Sequence, residues 1–172
     1  MKRWGFIVLP VVAILIGLFL YVRSSGRPPT EEEMVANFFA HRVAYERLRD
    51  MLLADRELLR IAKWGVETTE SVGVSVPPNG HFPVDRYREY LVLLKETHGL
   101  AASRAQGVHT ESVCVLIWAS GWAGDTRHVQ ICWVDHEPTP QVISLKGYYR
   151  APNPRHPVFR KIEEHWYLWA DW

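Results

Sequence analysis

From Ser112 onward apolar side chains recur at every second position, and that change of period commits the later part of the chain to an antiparallel sheet. Val113, Val115 and Ile117 alternate with Cys114, Leu116 and Trp118. Beyond a loop from Ser120 to Thr126, Val129, Ile131 and Trp133 alternate with His128, Gln130 and Cys132. The loop holds Gly121, Trp122, Ala123, Gly124 and Asp125 and is short enough to join neighbouring strands as a hairpin. Gln141 to Leu145 reads as a third strand. Val158 to Ile162 and Trp166 to Ala170 read as a closing hairpin across Glu163, Glu164 and His165.

The residues before Ser112 carry helical signals. Thr30 followed by Glu33 has the form of a capping box, and Phe38, Tyr45, Leu48 and Leu52 recur at three-, four- and seven-residue steps. Asp55 reads as the restart of a second short helix toward Trp64, ending at Gly65. Pro83 opens a further helix with Val84, Tyr87, Leu91 and Leu94 on one face and Gly99 just past its end. Val66 to Gly80 is a polar connection with one short strand around Val72 to Val76. Helices first and consecutive strands afterwards predict an α+β domain, its helices packed on one face of an antiparallel sheet of about four to five strands.

Ahead of this domain, Lys2 and Arg3 precede an uncharged apolar run from Trp4 to Val22, closed by Arg23 and Arg27. A hydrocarbon core about 30 Å thick takes roughly 20 helical residues, so the run predicts an N-terminal transmembrane helix inserted in the lipid bilayer. A cleaved secretory signal is the rival reading, although its apolar region normally spans only about 7 to 15 residues. The division that follows is residues 1–23 as anchor with a short cytoplasmic tail, 24–29 as linker and 30–172 as a single domain. Holding Lys2 and Arg3 inside places that domain outside the cytoplasm. A formal charge of +1 with interleaved acids and bases leaves no footprint for nucleic acid.

The two cysteines are the best constrained pair. A hairpin turning near Ala123 and Gly124, with Trp118 and His128 as its turn-proximal pair, sets Cys114 opposite Cys132 on one face. A disulfide and two buried thiols both fit that placement. His128 shares the face, but four residues along a strand span about 13 Å, too far for proton transfer to Cys132. Asp135, His136 and Glu137 are consecutive and so point to alternate sides of a strand. His81, His98, His109, His156 and His165 show no ligand spacing, and neither a metal, a cofactor nor a catalytic residue is assigned.

Beyond the anchor stand seven tryptophans, Trp64, Trp118, Trp122, Trp133, Trp166, Trp169 and Trp172, more than one covered sheet face can use. Alternation sends Trp118 and Trp133 to opposite faces of the first hairpin, and Trp166 and Trp169 to opposite faces of the last strand. The uncovered side is then a binding face, with Trp118, Trp122, Tyr167 and Trp169 as its contacts.

Asp85-Arg86-Tyr87-Arg88-Glu89-Tyr90 with Leu93-Leu94, then Ser144-Leu145-Lys146-Gly147-Tyr148-Tyr149, then His165-Trp166-Tyr167-Leu168, resembles the pattern of small uncharacterised bacterial envelope proteins. That resemblance implies an N-terminal anchor or signal, an α+β domain and a bacterial envelope setting, with no activity to carry over. The expectation is a single-pass inner-membrane protein whose periplasmic domain binds an envelope protein partner or a small ligand without chemistry, toxin immunity being one form of it. The alternative is an envelope hydrolase assembled from distant His, Asp and Cys residues.

Overall fold

Each strand of the alternating second half has a hydrogen-bonding partner on both sides or lies at an edge of one sheet. The computed structural model describes residues 27–70, 73–77, 82–106, 111–122, 125–150 and 156–171. In chain order they form α1 (Glu31–Ala40), α2 (Arg42–Ala54), β1 (Leu58–Ala62), β2 (Gly65–Thr68), α3 (Val84–Glu96), β3 (Ala101–Gln106), β4 (Glu111–Trp122), β5 (Asp125–Val134), α4 (Leu145–Tyr149), β6 (Val158–Glu163) and β7 (Trp166–Asp171). The strands make one antiparallel sheet in the order β2-β1-β3-β4-β5-β7-β6. The architecture is α+β.

The sheet has seven strands, not the expected four to five. The additional strands lie where alternation is hidden. In β1 the buried Leu58 and Ile61 are spaced like a helix face because the ladder to β2 slips between Leu58 and Arg60. The stretch expected as a short helix from Asp55 to Trp64 is therefore strand and turn. β3 reads Ala-Ala-Ser-Arg-Ala-Gln, with no β-branched or aromatic residue, and is extended because β1 and β4 hydrogen-bond to its two edges.

Two expected strands shrink to single bridges. Val72 lies outside the described residues, and among the described residues from 73 to 76 Ser75 alone pairs, with Val66; Gly65 at φ 143° lets that backbone approach, since a Cβ there would meet Val74 and Ser75 at 2.5 and 2.6 Å. Gln141 makes one parallel bridge to Phe159, and Leu145 opens α4, whose first turn Ser144 caps. Among the described residues no helix is long and apolar enough to cross a membrane. The expected transmembrane helix falls on Trp4 to Val22, which lie outside the described residues.

The capping box forms as its residues require. Glu33 N–H donates to Thr30 Oγ1 at 3.2 Å, and Thr30 N–H to Glu33 Oε2 at 2.7 Å. The helix that starts there breaks at His41, whose backbone leaves the helical region at φ −121°, ψ 23°. Both halves still bury one apolar stripe, Met34 and Phe38 in α1 and Tyr45, Leu48 and Leu52 in α2. At the end of α3, His98 is left-handed at φ 56°, and Gly99 and His98 N–H donate to Leu94 and Lys95 carbonyls. Gly99 then passes so close to β4 that a Cβ would stand 2.7 Å from Val115 Cγ1.

Helices and sheet enclose one main core, in which Phe38, Tyr45, Leu48 and Leu52 meet Val113, Val115, Val129, Ile131, Trp166 and Leu168. Polar clasps close its margins. Asp55 at the end of α2 accepts from Arg86 Nε and from the Tyr90 hydroxyl, both at 2.8 Å, and the Tyr87 hydroxyl donates to Ala62 O at 2.9 Å. Three residues of the Asp85–Tyr90 motif thereby fasten α3 to α2 and β1. The buried Arg104 guanidinium donates to the Arg56 carbonyl just past the end of α2, where the helix dipole is negative.

Two buried tyrosines set an alkaline limit. Burial pushes the Tyr45 and Tyr90 phenols well above the usual tyrosine value of 10.0, and for Tyr90 the hydrogen bond to Asp55 adds to it. The folded state holds protons that the unfolded chain releases, so stability is full below about pH 10 and falls as pH rises beyond it. Ultraviolet titration is expected to show these tyrosinates appearing together with loss of helical circular dichroism. Gradual ionisation in a chain that stays folded would contradict the buried placement.

Candidate functional site

One extra residue in β4 decides which side chains share the uncovered face. At the hairpin end Trp122 pairs with Asp125, and from that register alone Cys114 would face Trp133. Between Leu116 and Trp118 the ladder shifts by one residue at Ile117, and beyond the shift Cys114 pairs with Cys132. The two are joined as a disulfide. The same shift overturns the expected register of Trp118 against His128. Trp118 pairs with Val129, and it packs with Ile117 and Trp133 on the helix-covered core.

Trp118 is therefore not on the uncovered face, and Trp118 and Trp133 share a side instead of opposing one another. Trp169 and Tyr167 do lie on the uncovered face. Tyr167 is buried at 3% exposure, edge-on to Phe159 with ring centroids 6.2 Å apart. The backbone of Trp122 ends β4, while its side chain and residues 123–124 lie outside what the structure describes. Trp166 is on the core side, against Phe38 at 5.0 Å. Trp64, 46% exposed, stands in the β1–β2 turn, and Trp172 is outside the described residues.

On the uncovered face strand register builds two parallel rows. One runs Ser103, Cys114, Cys132, Tyr167, Lys161; the next runs Ala101, Leu116, Gln130, Trp169, Phe159. Ser103 and Cys114 from the first row and Gln130, Trp169 and Phe159 from the second, with the segment from His136 to Thr139 as a wall, line a groove of about 650 Å³. Its floor carries Cys114 and Val134, its aromatic side is Trp169 and Phe159, and Ser103, Ser112 and Gln130 supply uncharged polar groups. The wall is pinned from behind: Gln141 Nε2 donates to Pro138 O at 3.1 Å, and Phe159 N–H to Pro140 O at 2.9 Å.

The rim is ordered by charge. His136 Nδ1 bonds the Asp135 carboxylate, which also accepts from Glu111 N–H at 3.1 Å, and the His136 hydrogen bond foremost holds Asp135 below the usual carboxylate range. Glu137 faces Lys161 at 4.0 Å. His128 shares the uncovered face with Cys132 and stands opposite Asp171 across the β5–β7 ladder. The Cys132 sulfur is bonded to Cys114, so no thiolate is available there for a His-assisted nucleophile while the bridge stands. Among the described residues no group of His, Cys, Asp and Glu could hold a metal ion.

Phe159, Gln130, Val134 and the His136–Thr139 wall were absent from the sequence-based face. Phe159 and Gln130 were within reach, since each alternates with core residues on its own strand. Ser103 was not, because β3 shows no strand signal, and the wall is irregular backbone that no period describes. Comparison with protein-family models, curated proteins and solved structures gives no match. The likeness to small envelope proteins rests on the three short motifs alone, and of these the Asp85–Tyr90 segment serves to hold α3 in place.

Proposed function

We propose that this chain is a non-catalytic binding module working outside the cytoplasm, which takes a protein partner or small ligand in the groove on the uncovered sheet face. The observation that carries this reading is the groove itself, a concave surface of about 650 Å³ in which Trp169 and Phe159 lie beside a few convergent polar side chains. Such mixed, largely apolar concavities are the usual form of a binding site. The Cys114–Cys132 bridge under the groove supports an oxidising compartment. The uncharged run from Trp4 to Val22 supports export to the bacterial envelope.

Trp169 is the proposed anchor, and truncating a central aromatic contact costs roughly 2 kcal/mol or more of binding. A photo-reactive residue installed at Thr139 in living cells is expected to trap an adduct that Trp169→Ala abolishes, while the melting temperature stays close to that of the parent. Trp118→Ala is expected to do the opposite, lowering the melting temperature and keeping the adduct. An adduct that survives Trp169→Ala removes the groove from the function.

A further inference from the structure

We infer that the groove is a site for a neutral carbohydrate, an assignment that rests on the binding role proposed above and names its ligand class. The lining disfavours charged and wholly apolar ligands by its chemistry. Among the described residues that form the groove there is no lysine or arginine, so a phosphate or carboxylate would be desolvated there without a cation. Its one carboxylate, Glu137, faces Lys161 at 4.0 Å, and its one histidine, His136, bonds Asp135, so a cationic ligand would have to share Glu137 with a cation already beside it.

A wholly apolar ligand fits no better. The side chains of Ser103, Ser112 and Gln130 make no hydrogen bond within the described structure, and covering them with hydrocarbon would strip water from an amide and two hydroxyls without replacement. What remains is a ligand with one apolar face and a rim of uncharged donors and acceptors. A pyranose ring has that form, with its C–H groups on one face and its hydroxyls around the edge. Trp169 and Phe159 are paired neighbours across β7 and β6, so they offer adjacent aromatic surface for stacking, and Gln130 is the neighbour of Trp169 on the other side. An amide and hydroxyls, each able to donate and accept, match sugar hydroxyls better than any single-sense donor would.

The full chain, purified from the envelope with its disulfide intact, would be applied to an array of neutral hexose and N-acetylhexosamine oligomers printed beside sulfated and uronic acid glycans. Expected is saturable binding to at least one neutral series, weakened at least tenfold by Trp169→Ala and several-fold by Gln130→Leu, with the melting temperatures of both variants unchanged. Binding confined to the anionic glycans, or neutral binding indifferent to both substitutions, overturns the inference. Silence across the array also overturns it, and the Thr139 adduct then separates the cases. An adduct that persists leaves the groove as a binding face for another class of partner, and loss of both signals ends both readings.

Discussion

Trp166→Ala is expected to cost about 3–5 kcal/mol, the range for deleting a large aromatic from a packed interior. Trp166 is 3% exposed, lies 5.0 Å from Phe38 and 6.1 Å from Tyr45 between ring centroids, and sits where β7 meets the break between α1 and α2. Its removal empties a place where both N-terminal helices and the sheet touch the same side chain. Domains of this kind carry about 5–15 kcal/mol in all, so the variant should lose a large share of its stability in urea unfolding. Trp64→Ala, in a half-exposed turn, should by comparison move the midpoint little. A Trp166 variant as stable as the parent would mean that the helices do not pack on this face of the sheet.

That contrast between tryptophans marks how far the sequence could be read. The helical half and the hairpins were legible because their signals are local: the Thr30–Glu33 capping box, the stop at Gly99, and strict alternation through Val113 to Ile117 and Val129 to Trp133. β3 was not legible, since an alanine-rich segment is made into a strand only by the strands on either side of it. β1 was misread because its ladder slip mimics helical spacing. The shift at Ile117 is the most consequential of these. It moves Trp118 to the core side, which strict alternation cannot foresee, and so the expected face of Trp118, Trp122, Tyr167 and Trp169 reduces to Trp169 as the described residue lining the groove.

The same shift gives the disulfide its place. Breaking Cys114–Cys132 by paired alanine substitution is expected to cost about 3 kcal/mol, from the unfolded-chain entropy of a loop closed across a separation of 18 residues. The effect should reach past stability, because the bridge ties β4 to β5 beneath the groove, directly beside Val134 and Tyr167. Without it the hairpin register above Ile117 rests on hydrogen bonds and side-chain packing alone, and a slip of one residue would turn Gln130 away from the groove. Urea midpoints of oxidised, reduced and alanine-substituted protein test the stability, and adduct formation at Thr139 tests the groove. Chain isolated from the envelope and denatured before thiol titration should yield no free thiol until it is reduced. Two free thiols in that sample would remove both the bridge and the argument from it for an oxidising compartment.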